Sequence, residues 1–515
     1  MKKTISLLLV LTMMFSVLLV SPISANAEDY YTSGDYEYIL LDDGTAATTR
    51  YNGSDKIITV PAKLGNYKVT SIGEATFSGN REITSVSIPN GVTSISRDSF
   101  QGCRKLTSIS LPDTLKSIGI CAFKWCDSLP EITLPTSLTS IDISAFNFCE
   151  GLTSVYIPEN VAVIGESAFF KCKNLKSITV SDKNKFYTSI DGVLFSKDKT
   201  SLICYPPGKT DTHYNVAEFV TSIAPHAFQY SRHLTHVTIP DSITDIELYT
   251  FAECVKLNQI DFPPTLERIG PYAFYETTGI ETITIPDSVK TIDEGAFYAC
   301  FNLKDINIPS SVTAINNSTF SECRSLKNIN IPNGVTYIGK LAFSSCENLS
   351  SIVFPESVTH INAGATLFCT NLEKVTVLNP DCILGDIYEE EDFHLNTLNK
   401  TAVIYGYENS TAEEFAQQYD REFVSLGSAP QEKPTDKPSE DPTSKPTPDS
   451  KSEGDTDGDG VLSVMDATAI QLHMAQVKLI PENLLANGDT DNDGVVSVMD
   501  ATQIQLFLAH LIPEL

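Results

Sequence analysis

A 23-residue repeat fills the middle of this chain and limits the folds that it can adopt. A proline preceded by an apolar residue recurs at this interval in two uninterrupted runs. With the proline as position 1, Ile occupies position 7 in all ten units, Phe position 12 in nine and Leu position 18 in nine. A single unit cannot bury its own apolar face, whereas stacked units cover one another. The spacing therefore predicts a solenoid whose prolines are Pro89, Pro112, Pro135, Pro158, Pro240, Pro263, Pro286, Pro309, Pro332 and Pro355.

Two further units, 66–88 and 217–239, keep the apolar pattern without the proline. Each unit has a short β-branched run that stops at or near position 1, which predicts the strands of a parallel ladder. Between the two blocks of repeats, Asp191-Gly192 separates two apolar runs and predicts a two-residue hairpin turn. A helix is expected near Thr411–Tyr419. The predicted order is a cap at 28–65, five repeats at 66–180, the insertion at 181–216, seven repeats at 217–377 and a cap at 378–427.

The repeat resembles a known family. Residues 338–349 read Ile-Gly-Lys-Leu-Ala-Phe-Ser-Ser-Cys-Glu-Asn-Leu, which is a clean instance of the pattern of BspA-like leucine-rich repeat proteins of bacterial surfaces. The resemblance extends over about residues 66–377. It implies a mainly β leucine-rich-repeat solenoid of twelve coils, and hairpins like the one expected at 181–216 often interrupt such repeats.

Nine of the twelve cysteines occupy position 15 of the repeat. A disulfide framework is the usual first hypothesis for a secreted chain. A small apolar residue at one fixed place in each coil instead favours a column of buried free thiols. Neighbouring coils are close enough for bridging, so disulfides remain an alternative, while a metal site is disfavoured because no C-x-x-C pair exists. These cysteines are Cys103, Cys126, Cys149, Cys172, Cys254, Cys300, Cys323, Cys346 and Cys369.

Charge and the N-terminal segment point to export. The formal net charge is −29, which argues against nucleic acid and anionic membranes as partners. Lys2 and Lys3 precede an apolar stretch, and Ala25-Asn26-Ala27 predicts a signal peptide over 1–27. No later stretch reaches the ~18 apolar residues that a membrane span needs. We expect a secreted, extracellular protein.

The C-terminal part begins with a Pro/Ser/Thr-rich segment, 428–454, whose composition predicts an extended spacer. After it a twelve-residue motif occurs twice, at 455–466 and 489–500. In each copy, the spacing matches that of a calcium loop for the carboxylates, the central glycine, the residue that offers a backbone carbonyl and the serine. Two Ca²⁺ ions are therefore predicted. The predicted ligands are Asp455, Asp457, Asp459, Val461, Ser463 and Asp466, and Asp489, Asp491, Asp493, Val495, Ser497 and Asp500.

The duplicated loops, each followed by an apolar helix but not preceded by one, resemble type I dockerins over 455–515. The resemblance implies a small all-α, calcium-binding module that binds a cohesin of a scaffoldin, as in cellulosomes. It also implies that two residue pairs per copy select the cohesin. Here these are Val-Met and Gln-Leu instead of the family's usual hydroxyl and basic residues, so the usual specificity class does not carry over to this chain. The pairs are Val464, Met465, Gln471 and Leu472, and Val498, Met499, Gln505 and Leu506.

Three hypotheses remain for the repeats. The first is a non-catalytic adhesion or interaction module, the second a carbohydrate-binding component, and the third an unrecognised polysaccharide hydrolase. The repeats occupy 28–427 and contain no G-x-S-x-G, H-E-x-x-H or phosphate-loop motif, which disfavours an enzyme. Four histidines near the insertion could hold a metal, although solvated positions suit them better: His213, His226, His233 and His236.

Aromatic residues at variable repeat positions are the candidate ligand patch. Because every position recurs once per coil, side chains at one position in adjacent coils should stack. Two groups result, and partial packing between coils is the alternative to an exposed patch. The polar positions of the strands, such as Ser108, Ser110 and Asn330, hold little aromatic surface beyond Tyr156. The candidate patch comprises Trp125, Phe148 and Phe170, and Tyr249, Tyr272, Tyr275 and Tyr298.

Overall fold

The computed structural model describes residues 30–385 and 397–430. Both ranges belong to one unit. The repeats stack as coils of a mainly β solenoid, with nearly every strand pair between repeats parallel and offset by one repeat length, as in Ser94↔Ser117. The predicted parallel ladder is present. The coils also form another ladder, through position 7 of the repeat, that the sequence pattern did not reveal.

The first ladder passes through the invariant Ile at position 7. In most coils the residue at position 6 and this Ile form a two-residue strand, and the Ile is buried in every repeat except at Ile164, which is half-buried. Its strands are Ala46–Tyr51, Tyr67–Ile72, Ser94–Ile95, Ser117–Ile118, Ser140–Ile141, Val163–Ile164, Ser201–Cys204, Ser222–Ile223, Asp245–Ile246, Arg268–Ile269, Thr291–Ile292, Ala314–Ile315, Tyr337–Ile338, His360–Ile361 and Ile383–Leu384.

The second ladder is the predicted one, at positions 20 to 23. It is divided into five sheets, partly because residues 131–134 and 328–331 form no strand. Its strands are Ile57–Thr59, Ser85–Ser87, Ser108–Ser110, Ser154–Ile157, Ser177–Val180, His213–Asn215, His236–Thr238, Gln259–Asp261, Thr282–Ile283, Asp305–Ile306, Ser351–Phe354, Lys374–Val377, Val403–Gly406 and Phe423–Ser425.

Both ends of the solenoid have additional elements. Tyr31–Ser33 and Tyr36–Leu40 form an antiparallel hairpin that continues the first ladder, and Lys63–Leu64 pairs with the next strand. At the other end the helix Thr411–Gln418 lies where the sequence predicts one. Ser410 accepts a hydrogen bond from the Glu413 amide and caps the helix, which buries Phe415 against the last coil.

The insertion contains more than the expected hairpin. Tyr187–Ile190 and Val193–Ser196 pair antiparallel around Asp191-Gly192, both of which have positive φ as a type I′ turn requires. The residues that follow form a further irregular coil. Tyr205 stacks on Phe228 at 5.4 Å, and His213–Asn215 pairs with His236–Thr238 at the usual offset of one repeat. Ser201 pairs with Ser222 instead, so the spacing here is two residues shorter than the repeat.

The core is organised as columns of identical side chains. Phe at position 12 is buried in coil after coil, and neighbouring rings stack at centroid distances of 5.0 to 5.8 Å. The column is interrupted at the insertion, where the core divides into two clusters, and Tyr205 begins its second part. A ladder of rings at the strand spacing is the expected consequence of an invariant repeat.

The nine position-15 cysteines form a second column, and each is fully buried with a free thiol. Every Sγ lies 3.0 to 3.3 Å from the carbonyl oxygen of the Phe three positions earlier in the preceding coil, as for Cys149 and Phe123. Where the repeat has Thr277 instead, its hydroxyl donates to the equivalent Phe251 carbonyl at 2.7 Å. The thiol therefore serves as a hydrogen-bond donor to a buried carbonyl.

Candidate functional site

An unusual turn presents the candidate residues. In all twelve repeats the residues at positions 10 and 14 have positive φ, between 50° and 72°, which is uncommon for bulky side chains. The turn is hydrogen bonded from coil to coil, as when the Phe123 amide donates to the Ala145 carbonyl at 2.8 Å. The same pattern recurs along the stack and holds this conformation in place. Side chains at positions 10, 13 and 14 are thereby aligned along one edge of the solenoid.

The first aromatic group lies at positions 13 and 14 of three successive coils. Trp125 and Phe148 are 5.7 Å apart between ring centroids, and Phe148 and Phe170 are 5.9 Å apart. Tyr230, which follows the insertion in sequence, continues the row at 6.2 Å from Phe170. All four rings are half-buried. The predicted trio is therefore brought together, with a fourth member that sequence reasoning missed.

Lys171 lies among these rings. Its Nζ is 5.1, 5.0 and 5.4 Å from the ring centroids of Phe148, Phe170 and Tyr230. It also forms an ion pair of 2.8 Å with Glu253, whose side chain is 13% exposed. Burial raises the pKa of Glu253, and the Lys171 ammonium opposes that rise. The arrangement is an aromatic cage with a carboxylate at its base, filled by the chain's own lysine.

The cage spans the insertion because the irregular coil is small at this point. Gly208 donates its amide to the Leu175 carbonyl at 2.8 Å. A Cβ at Gly208 would lie 2.5 Å from the carbonyl carbon of Asn174, so a side chain there would push the coils apart. This close approach lets Phe170 and Lys171 reach Tyr230 and Glu253 across the irregular coil.

The second aromatic group consists of four tyrosines, which we call the tyrosine cluster. Tyr249 and Tyr272 at position 10 stack at 5.2 Å, and Tyr275 and Tyr298 at position 13 stack at 5.5 Å. Tyr275 lies edge-on to both Tyr249 and Tyr272, at 6.1 and 6.3 Å. His226, one of the four histidines singled out in the sequence, extends the position-10 stack at 5.3 Å. The four predicted tyrosines therefore form one cluster.

The tyrosine cluster ends over a glycine and is bordered by carboxylates. A Cβ at Gly295 would lie 2.3 Å from the Tyr272 ring, so only glycine lets that ring rest on the next coil. Tyr272 donates its hydroxyl to Glu294 at 2.8 Å. Burial, followed by the effect of Glu294, raises the pKa of Tyr272 to about 12. Burial and Glu276 likewise raise the pKa of Tyr275, so both phenols stay neutral at physiological pH.

All seven candidate rings are half-buried, so both interpretations apply in part. The rings pack between coils, yet each keeps part of its surface at the edge.

Three residues of the site were not predicted from the sequence: Tyr230, Lys171 and Glu276, all at position 14. Comparing the residues at that one position across all coils would have found them.

The histidines do not converge. His213 and His236 are neighbours at 5.4 Å between rings, and His236 pairs with Asp261 at 2.6 Å. His226 belongs to the tyrosine stack instead. Within residues 30–385 and 397–430, no group of three or more His, Cys, Asp or Glu side chains could hold a metal ion. The metal hypothesis for these histidines therefore finds no geometric basis in the described ranges.

A shallow cavity of about 300 Å³ lies where the second ladder is interrupted. Its lining includes Asn328, Asn330, Val353 and Leu378 and contains no titratable side chain. In the part of the chain that the structure describes, no helix has the length and apolarity needed to cross a bilayer. The predicted signal peptide 1–27, residues 431–454 of the predicted spacer, both predicted calcium loops, and the Val-Met and Gln-Leu pairs predicted to select a cohesin lie outside the described residues.

Comparisons with known proteins find a family with the same kind of repeat. A family model described as "BspA type leucine rich repeat region (6 copies)" matches residues 70–200, 221–313 and 290–389. A leucine rich cell surface protein from Faecalibacterium prausnitzii is 30% identical, with TM-score 0.48, over 60% of this chain and 96% of that one. A leucine-rich repeat protein from Eubacterium ventriosum is 25% identical, with TM-score 0.49, over 61% and 94%.

The pneumococcal vaccine antigen PcpA is 20% identical, with TM-score 0.50, over 77% of this chain and 98% of that one. At this identity the likeness concerns the fold alone. A search of curated proteins found no match.

Proposed function

The chain belongs to the BspA-type leucine-rich repeat family, and from this premise we propose that it is a secreted, non-catalytic binding protein. Its repeat domain would contact a protein or surface partner, and its C-terminal segment would attach it to a scaffold in a calcium-dependent way. Family membership supports the extracellular location and the interaction role. The observation that carries the binding role is the aligned edge of half-buried aromatic rings, because such rings are enriched at protein interfaces.

The aromatic edge suits a partner that is recognised by contact area and hydrogen bonds. Tyr and Trp supply large, rigid surface at low entropic cost, and the tyrosine hydroxyls add polar anchors. The rings are held by a repeating hydrogen-bonded turn, so little order would be lost on binding. A carbohydrate ligand is the second candidate, because aromatic rings also stack against sugars.

The non-catalytic part of the proposal rests on the side chains that line the cavity. Glycoside hydrolysis uses two carboxyl groups that face each other across a substrate cleft. The cavity beside Asn330 and Val353 has no carboxylate in its lining. Assay of the full chain on plant polysaccharides should therefore release no reducing ends. Release that disappears in a variant of a single carboxylate would instead establish a hydrolase.

The binding role can be tested with the full chain immobilised on a sensor surface. Proteins from the cell surface and from the medium, cell-wall polymers and plant polysaccharides are passed over it in turn. We expect saturable binding of a protein that a Trp125→Ala/Phe148→Ala variant weakens at least tenfold. Saturable binding of a polysaccharide with the same dependence would favour the carbohydrate-binding alternative instead.

The docking role rests on the chemistry of the two predicted loops, 455–466 and 489–500. Each offers four carboxylates, a backbone carbonyl and a serine, the all-oxygen set that Ca²⁺ prefers. Clustered carboxylates repel one another without a cation, so the ion would stabilise the module. The resemblance to type I dockerins supports a cohesin of a scaffoldin as partner, with the Val-Met and Gln-Leu pairs at the contact.

Calorimetry of the full chain with a panel of cohesins tests the docking role. We expect two Ca²⁺ ions per chain and cohesin binding that a chelator abolishes. Asp459→Ala and Asp493→Ala should each remove one ion, whereas the control Glu347→Ala in a repeat should remove none. Cohesin binding that persists in excess chelator would refute calcium-dependent docking.

The duplication also predicts redundancy. Because both copies carry the same Val-Met pair, charging one pair by Val464→Asp/Met465→Asp or Val498→Asp/Met499→Asp should leave most of the cohesin affinity. Charging all four positions should abolish it, since an unpaired charge buried at an interface is costly. Complete loss from one double variant with calcium loading intact would mean that only one copy is used.

A further inference from the structure

The tyrosine cluster differs from the Trp125 row in its surrounding charge. Glu253 and Glu276 occupy position 14 of adjacent coils beside Tyr275, and Glu294 accepts the Tyr272 hydroxyl. Glu276 contributes to the raised pKa of Glu253, which shows that the two carboxylates lie within electrostatic reach. The edge around the tyrosines is therefore locally acidic.

Two of these carboxylates have no cationic partner in the described ranges. Lys171 neutralises Glu253 at 2.8 Å, but no lysine or arginine of residues 30–385 and 397–430 forms an ion pair with Glu276 or Glu294. Glu294 instead accepts a hydrogen bond from the Tyr272 hydroxyl, and Glu276 adds to the rise that burial causes in the pKa of Tyr275. No described cation lies over the rings of the tyrosine cluster, in contrast to the rings around Lys171.

The neighbouring cage shows what this edge accommodates. There an ammonium lies 5.0 to 5.4 Å from three aromatic ring centroids and is held by a position-14 glutamate. The tyrosine cluster repeats the same elements, aromatic rings beside a position-14 glutamate, one coil further along. Only the ammonium is missing from the repeated arrangement among the described residues.

The stacking of the tyrosines also restricts the ligand. The rings of Tyr249 and Tyr272 face each other at 5.2 Å and those of Tyr275 and Tyr298 at 5.5 Å, so these faces are largely covered. A sugar ring needs an open aromatic face, whereas ring edges, hydroxyls and carboxylates remain available. The aliphatic stems of Lys and Arg pack along such edges while their charged heads reach carboxylates.

We infer that the tyrosine cluster, with Glu276 and Glu294, is a docking surface for a basic polypeptide segment of the partner. This inference rests on the proposed binding role of the repeats and names the chemistry of the partner. Lysine or arginine side chains pair with the two glutamates and lie against Tyr272, Tyr275 and Tyr298. Charge complementarity, supported by the acidic chain as a whole, favours this occupant over an acidic or neutral one.

The test measures binding of a fluorescent decapeptide of alternating Lys and Gly to the full chain. Because a chain of net charge −29 attracts any basic peptide, the control must change the charge equally. Glu276→Gln/Glu294→Gln is compared with Glu322→Gln/Glu347→Gln. Glu322 also occupies position 14, but Arg324 pairs with it at 2.7 Å and with Glu347 at 3.6 Å, so both control glutamates already share a cationic partner.

The first double variant should weaken peptide binding at least tenfold, and the control by less than twofold. Tyr272→Leu/Tyr275→Leu should weaken it about as much while far-ultraviolet dichroism stays unchanged. If the two double glutamine variants weaken binding equally, the peptide responds only to the net negative charge of the chain, and the inference is overturned. Tyrosine-dependent binding of xylohexaose without peptide binding would overturn it in favour of sugar. Partner binding through the Trp125 row would survive either result, so failure here leaves the proposed function standing.

Discussion

The buried phenylalanine column and the half-buried aromatic groups arise from the same repeat and have nearly the same geometry. Neighbouring rings stack at 5.0 to 5.8 Å in the column and at 5.2 to 5.5 Å within the tyrosine cluster. Phe297 is fully buried, whereas the adjacent Tyr298 in the same coil is half-buried. The difference lies in environment, because one column faces the core and the other the edge.

The position in the repeat, more than the residue type, decides whether a stacked ring supports the core or stays at the edge. At position 12 the ring removes apolar surface from water in every coil and stabilises the stack. At positions 10, 13 and 14 the residue varies, so aromatic rings cluster only where neighbouring coils happen to share them. Such local clusters are free to take on binding, because the fold does not depend on them.

The largest effect is expected when alkaline pH ionises the core thiols. Burial raises the pKa of Cys103, Cys254 and Cys300 to about 12, and that of five further ladder thiols well above 9.0. The unfolded thiols release protons near their ordinary pKa while the folded ones keep theirs. Stability is therefore full below that value and falls as pH rises from it toward 12.

Each such thiol removes about 1.4 kcal/mol per pH unit in this window, so even a few make unfolding steep. Urea unfolding between pH 7 and 10, with and without reductant, measures this slope. A slope near zero without reductant that appears only after reduction would show that the column is disulfide bonded.

Two substitutions at neighbouring positions of one coil test whether the buried column and the tyrosine cluster contribute differently to stability. Phe297→Ala removes a ring from the packed column and should destabilise by about 3–5 kcal/mol. Tyr298→Ala removes a half-buried ring from the edge and should cost about 1 kcal/mol or less. Both are measured by urea unfolding at pH 7. Equal losses would mean that the tyrosine cluster is part of the structural core.

The aromatic cage around Lys171 should show an intermediate effect. Lys171→Met keeps the aliphatic packing but leaves Glu253 half-buried without a cation, which should cost about 2 kcal/mol. Lys173→Met is the matched control, because its pair with Glu150 is more exposed and should contribute less than about 1 kcal/mol. If the two variants unfold alike, the cage does not hold the two blocks of repeats together.

The smallest effect concerns the donor in the thiol column. Cys300→Thr should be tolerated within about 1 kcal/mol, because Thr277 already donates to the equivalent carbonyl. Valine has nearly the same shape as threonine but carries no hydrogen-bond donor. Cys300→Val should therefore lower the free energy of unfolding by about 1–3 kcal/mol, since the Phe274 carbonyl then stays buried and unpaired. Equal stability of the two variants would mean that the thiol contributes only its volume.

Much of the fold could be predicted because it recurs. Ile, Phe, Leu and Cys that recur at fixed spacing predict stacked coils, parallel strands and a buried cysteine column, and the structure has all of these. The first ladder was missed because its strands are only two residues long, too short to show an alternating pattern. The irregular coil at 201–216 was missed because two absent residues break the spacing and Tyr205 replaces the phenylalanine.

The candidate site divides in the same way. The sequence alone brought Trp125 and Phe148 together, because they share a repeat position and therefore an edge. The sequence alone could not predict that Lys171 contacts Tyr230 and Glu253. The 23-residue spacing fails across the insertion, where an irregular coil lies between the two blocks of repeats. Local spacing is carried along the chain by the repeat, so the stack of coils and its columns of side chains follow from the sequence alone. The folded molecule alone shows which side chains meet across the insertion and which rings stay at the surface. Both depend on distances between coils that are far apart in sequence.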